Sequence, residues 1–148
     1  MTSSERLSNL TKQLIRDFEA LEFRLKNYTT NITEEPQNLT SAFFLGEAVE
    51  TGKMIPKLVE CLRIMPPITP PTSLVLRSQY EDMLTVTTRL TNQTFPQLST
   101  LTNTFLTTPE AATKASALLN ILALLPQIVL DYGRLKFECF KIKRKMRL

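Results

Sequence analysis

Apolar residues recur at steps of three and four in four long segments of the chain, and each such segment predicts an amphipathic helix. In the first, Leu7, Leu10, Leu14, Phe18, Leu21, Leu25 and Tyr28 form one stripe, which predicts a helix over about 4–28. Thr2 and Glu5 stand in capping-box spacing, as expected for a helix start there. The threonine and asparagine cluster after Tyr28, closed by Glu34-Glu35-Pro36, predicts a loop over 29–38, because proline disfavours helix at the residue before it. A second stripe of Phe44, Ala48, Ile55, Leu58, Val59 and Leu62 predicts a helix over about 40–65. Gly46, Gly52 and Pro56 interrupt it. A kink or break is expected near Gly52 to Pro56, since proline removes a backbone donor and its ring strikes the preceding turn.

Pro66-Pro67-Ile68-Thr69-Pro70-Pro71 cannot be helical and predicts a stiff, extended linker over 66–71. A third helix is expected over about 73–106, with Leu76, Tyr80, Met83, Leu90 and Leu98 on its stripe and a bend at Pro96. Many of its other positions are threonine, a mediocre helix former, so tertiary packing has to hold it. Thr107-Thr108-Pro109-Glu110-Ala111-Ala112 supplies a threonine cap, a proline at the first helical position and an acid in the first turn, and predicts a fourth helix over 109–147.

That fourth helix carries an unbroken three-four alternation from Leu118 through Leu122, Leu125, Val129, Tyr132, Leu135, Cys139 and Ile142 to Met146. Such regularity predicts a coiled-coil seam or a bundle edge. Leu119, Ile121, Leu124, Ile128 and Leu130 make its first half apolar on other faces as well. A helix apolar all round is buried on several sides or bound to a partner. Leu118, Leu122, Leu125, Val129, Tyr132 and Leu135 are therefore the expected partner interface. The fold class expected from these patterns is all-α, a single unit over 1–148 built as an elongated helical bundle or coiled coil of about four helices joined by proline-rich loops.

Composition narrows the chemistry. At 148 residues the chain is the size of one ordinary domain, and 43% hydrophobic with 22% charged residues argues against wholesale disorder. Only three glycines are present, too few for hairpins and phosphate loops. Histidine and tryptophan are absent, which removes the commonest general base, the commonest metal ligand and one preferred interface anchor. The acidic pairs Glu34-Glu35 and Glu81-Asp82 are sequence neighbours, which point in different directions on a helix and do not converge on one substrate. Gly-x-Ser-x-Gly, Cys-x-x-Cys and glycine-rich phosphate motifs do not occur. No catalytic, cofactor-binding or metal site, and no small-molecule substrate, is expected.

Cys61 and Cys139 read as reduced core thiols of an intracellular protein, and no secretory signal follows Met1. The five Asn-x-Thr triplets, at Asn9, Asn27, Asn31, Asn38 and Asn92, then follow from the abundance of threonine and are not expected to carry glycans. The stretch 115–130 is only sixteen residues long and contains Asn120, Pro126 and Gln127, which argues against membrane insertion. From Arg134 onward seven bases face one acid, whereas the first 132 residues carry a net charge of −2. The basic tail of Lys141, Lys143, Arg144, Lys145 and Arg147 reads first as a solvated helix end whose cations face the helix dipole, with nuclear import or an acidic partner as alternatives. No aromatic side chains interleave the run Lys141 to Lys145, which argues against nucleic acid.

Taken in order, the N-terminal helix Leu7 to Tyr28, Pro70-Pro71 before a long helix, Phe95-Pro96-Gln97-Leu98 followed by Pro109-Glu110-Ala111-Ala112, and Asp131-Tyr132 leading a terminal helix resemble the small coiled-coil subunit of the dynactin shoulder. The resemblance spans most of the chain. It implies a non-enzymatic helical scaffold subunit that packs with other helical subunits, in the cytoplasm on the cytoskeleton, and supports dynein-driven microtubule transport. Two alternatives stand beside it. The segment Asp131-Tyr132-Gly133-Arg134-Leu135-Lys136 and the basic tail suit a small helical subunit of a nuclear transcription complex such as the Mediator head, and the apolar fourth helix suits a membrane-associated adaptor.

Overall fold

The structure is a computed structural model that describes residues 2–65 and 72–148. It is all-α. Helix α1 spans Ser3–Glu34, a single 3-10 turn covers Pro36–Asn38, and α2 spans Ser41–Ile64. Helix α3 spans Thr72–Arg89, a π-helical segment covers Leu90–Thr94, α4 spans Phe95–Thr107 and α5 spans Ala111–Met146. The expected proline-rich linker over 66–71 lies outside the described residues.

Helix α1 starts where its capping box places it, with Thr2 Oγ1 accepting from the Glu5 N–H at 3.1 Å. It then runs through the first six positions of the expected loop over 29–38. The threonines there do not break the helix because their hydroxyls bond back onto it, Thr29 to the Leu25 carbonyl at 3.0 Å and Thr33 to the Thr29 carbonyl at 2.7 Å. Tyr28, taken as the last helical residue from the sequence, instead anchors this extension. Its ring stacks on Phe43 of α2 at 3.8 Å between centroids, and its hydroxyl donates to the Thr40 carbonyl.

The expected break near Gly52 to Pro56 does not occur, and α2 is continuous with Pro56 inside it. Packing on both sides of the proline overrides its cost: Thr51, Met54, Leu58 and Cys61 are all buried on one face, while Pro56 is exposed on the other. Gly52 sits at a close approach, where an added Cβ would meet the Thr91 methyl at 3.4 Å. Beside it the hydroxyls of Thr51 and Thr91 share a hydrogen bond of 2.6 Å.

Just before Pro96, where the bend is expected, the helix widens into a π turn in which the Phe95 N–H reaches back to the Leu90 carbonyl. The wider turn relieves the clash a proline makes with the carbonyl four residues earlier. Threonines in this region again bond backward, Thr85 to the Glu81 carbonyl and Thr87 to the Met83 carbonyl. Helix α5 begins two residues later than its sequence signal, with Glu110 as cap and the Thr108 hydroxyl accepting from the Glu110 N–H.

One core joins all five helices. Helix α2 packs on α1, α3 and α4, and α5 packs on α4, α3 and α1. Leu14 and Phe18 of α1, Leu58 of α2, Met83 of α3, Leu98 of α4 and Leu135 of α5 are among its fully buried members. A polar node sits within it: the Thr11 hydroxyl donates to the Leu7 carbonyl and pairs with the Tyr80 hydroxyl at 2.5 Å, linking α1 to α3.

A candidate interaction face on the C-terminal helix

Helix α5 has two apolar faces. The inner face is Ala117, Ile121, Ile128, Tyr132, Leu135, Cys139 and Ile142, all buried against the other helices. The outer face leaves large side chains in solvent, with Leu119 at 67%, Leu130 at 68%, and Phe137 and Phe140 each at 58% exposure. An exposed apolar strip of this length is unusual on a soluble monomer, where such patches mark contact surfaces.

The six residues expected to form the partner interface divide between these faces. Leu118 (39% exposed), Leu122 (53%), Leu125 (37%) and Val129 (67%) stand on the surface. Tyr132 (5%) and Leu135 (0%) belong to the chain's own core, which corrects their assignment to a partner. The cause is helical geometry. A strict three-four alternation drifts by about 20° per heptad on a straight 3.6-residue helix, so the stripe from Leu118 to Met146 turns by roughly 80° over its four heptads. It begins on the surface and ends inside.

On one side of α5 the outer face borders a groove against α1. Leu25, Tyr28 and Ile32 of α1, Phe44 of α2, and Ile121 and Leu125 of α5 line a concavity of about 300 Å³ there. Its continuation along the same helices is lined by Val129, Tyr132 and Gly133 opposite Leu25, Lys26 and Thr29. Farther along, the Phe18 and Tyr132 rings meet edge to face at 6.1 Å and Lys136 pairs with Glu22 at 3.2 Å, so the two helices close on each other. Burial raises the Tyr132 phenol above its ordinary pKa, so the group stays neutral. On the other side of α5 a wider concavity of about 560 Å³ lies against α4, lined by Pro96, Leu101, Asn120 and Leu124 and without an ionisable side chain.

The basic tail also divides. Lys141 turns back to Glu138 at 2.9 Å and lies over the Phe137 ring. Lys143, Arg144, Lys145 and Arg147 are exposed and form no ion pair among the described residues. Arg147 closes the helix in the left-handed conformation, with its N–H on the Lys143 carbonyl.

Both thiols are core groups. Burial pushes Cys61 and Cys139 up to about 12, which keeps them protonated and poorly nucleophilic. Among the described residues no cluster of acids and cysteines could hold a metal ion. The most buried carboxylate, Asp131, accepts from Arg89 and Gln127 and is occupied by structure. Helix α5 offers a window of 18 residues with a mean hydropathy of 1.5, of which 17% is buried. By length and composition it could cross a membrane, a property that the shorter stretch 115–130 lacked. No protein-family model matches the chain, and no curated protein and no solved structure matches it.

Proposed function

We propose that this protein is a non-enzymatic helical scaffold subunit, which joins a larger assembly through the outer face of α5. The observation that supports the reading is the division of α5: one face completes the chain's core, and a second apolar face lies open along Leu118, Leu122, Leu125 and Val129. Covering such a face is what an assembly partner does, and burying it removes roughly 25 cal/mol per Å² of apolar surface from water. The elongated bundle and coiled-coil character expected from the sequence belong to this reading, with the open stripe as the seam. The resemblance to the dynactin shoulder subunit points the assembly towards dynein-driven microtubule transport in the cytoplasm, with a nuclear complex of the Mediator-head kind as the alternative.

A membrane-associated adaptor is a second reading, favoured by the exposed apolar window of α5. One pair of variants separates the scaffold from it. Leu122→Gln combined with Val129→Gln changes only exposed side chains, so the helical circular dichroism and thermal midpoint should stay near those of the wild type. Recovery of partner proteins with the tagged chain should fall sharply. Undiminished recovery refutes the scaffold reading, and loss of vesicle flotation in place of protein partners favours the adaptor.

A further inference from the structure

Threonine fills 20 of the 148 positions, so the seven asparagines should meet one two residues later about once. They do so five times, at Asn9, Asn27, Asn31, Asn38 and Asn92, and the abundance of threonine does not account for the excess. Nor does the fold. Asn27 and Asn92 stand exposed inside helical segments and form no side-chain hydrogen bond among the described residues. Asparagine is a weaker helix former than lysine or glutamine, so neither segment gains by it. Thr29 and Thr33 bond back onto α1 through their own hydroxyls and need no asparagine two residues before them.

The positions suit a bulky substituent. By the 3.6-residue repeat, Asn9, Asn27 and Asn31 fall within about 40° of arc, on the side of α1 away from the core residues Leu7, Leu14 and Phe18. All three are exposed, as is Asn92. Asn31 meets Asn38 through its Oδ1, which accepts from Asn38 Nδ2 at 3.1 Å and leaves the Asn31 amide nitrogen able to carry a group. Asn38 differs. It is half-buried, and its Nδ2 donates both to Asn31 and to Glu35, so a substituent there costs one of those bonds.

We propose that Asn9, Asn27, Asn31 and Asn92 carry N-linked oligosaccharide, attached in the secretory lumen before α1 folds. In the transfer, asparagine Nδ2 bonds to the anomeric carbon of an oligosaccharide held on a lipid diphosphate, and a hydroxyl two residues on marks the site. The bond from that carbon to the diphosphate oxygen breaks, the lipid diphosphate leaves with the electron pair, and the nitrogen gives one proton to the transferase. Because transfer precedes folding, the later burial of Thr11 and Thr94 does not hide their hydroxyls from it. Glycans are bulky and solubilising, and here they coat the outer side of α1. Leu25 and Thr29, which line the groove with α5, lie across that helix from Asn27, so the open face of α5 stays uncovered. An oxidising lumen leaves Cys61 and Cys139 alone, since both are buried. The proposal is independent of the scaffold reading: it keeps the outer face of α5 as the contact surface and places the assembly in the lumen instead of the cytoplasm.

The full chain, taken from the cells that make it, is digested with peptide N-glycosidase in water enriched in heavy oxygen, run on a denaturing gel and mapped by mass spectrometry. The enzyme releases each sugar and leaves a heavy-labelled aspartate in place of the asparagine. The expected result is faster migration after digestion and label at Asn9, Asn27, Asn31 and Asn92, with Asn103 and Asn120, which lack the threonine, unlabelled. Asn27→Gln, Asn31→Gln and Asn92→Gln should each remove one step of the shift and leave circular dichroism unchanged, because all three side chains are exposed. Any one of the four that stays unlabelled is struck from the assignment. Label at none of them, or a full shift that survives the glutamine variants, overturns the proposal and leaves the scaffold reading standing. Occupied sites rule out the cytoplasmic dynactin-like assembly. Occupied sites together with undiminished partner recovery in the Leu122→Gln, Val129→Gln variant uphold this proposal and refute the scaffold.

Discussion

The ion pair between Arg89 and Asp131 ties the end of α3 to the middle of α5, and its two halves sit in unequal surroundings. The Asp131 side chain is 2% exposed, whereas Arg89 keeps 33% of its side chain in water. The carboxylate accepts from Arg89 Nη2 at 2.5 Å and Nε at 3.3 Å, and from Gln127 Nε2 at 3.0 Å. Arg89→Ala leaves a buried negative charge with one neutral donor. Breaking a buried pair from one side costs about 3–5 kcal/mol, and the water already at the guanidinium puts this site near the low end, about 3 kcal/mol. Asp131→Asn keeps the shape and the Gln127 partner and orphans a group that water can reach, for a cost of about 1–2 kcal/mol. The double variant should therefore be more stable than Arg89→Ala alone, because the charge that needed a partner is gone. Urea unfolding of the full chain, followed by circular dichroism, measures all three. Equal losses for the two single variants, or a double variant less stable than Arg89→Ala, would refute the claim that the stranded carboxylate dominates.

Three further outcomes follow from burial and from its absence. Cys61 and Cys139 have thiols raised from the ordinary 9.0 to about 12, so the unfolded chain ionises first and stability should decline as pH rises from about 9 towards 12. In native buffer both should react with a thiol reagent only as fast as the protein opens, and rapid labelling of either would count against their place in the core. Gly133→Ala should raise the stability of the isolated chain by about 0.5–1 kcal/mol, read as a higher thermal midpoint, because the added methyl enters open space on a helix. A lowered midpoint would mean that α5 is packed there.

The parts of the fold that were legible in the sequence are those set by local periodicity. The stripes through Leu7, Leu14, Phe18 and Leu21, and through Leu76, Tyr80 and Met83, are core. What periodicity missed was decided by tertiary contact. No local rule says that Thr29 and Thr33 continue a helix; the stack of Tyr28 on Phe43 holds α1 against α2 at that end. No local rule keeps Pro56 inside α2 either; the burial of Met54 and Leu58 on either side of it does. At Pro96 the sequence located the irregularity but not its form, because either a bend or a π turn accommodates a ring that lacks the N–H donor.

The candidate site shows the same boundary from the other side. A sequence whose apolar residues cover most of a helix states that two faces are apolar, and leaves open which one the chain uses for itself. The alternation from Leu118 to Met146 looks like one seam only if the helix supercoils. On a straight helix its two ends lie roughly 80° apart, and the core takes the later end, Tyr132, Leu135, Cys139 and Ile142. The inner face of the first half is then supplied by residues outside that stripe, Ala117, Ile121 and Ile128, which displace Leu118, Leu122 and Val129 outward. A partner helix that follows the exposed stripe therefore cannot keep to it past Val129. It must either leave α5 or pass onto Lys136, which Glu22 of α1 already pairs at 3.2 Å.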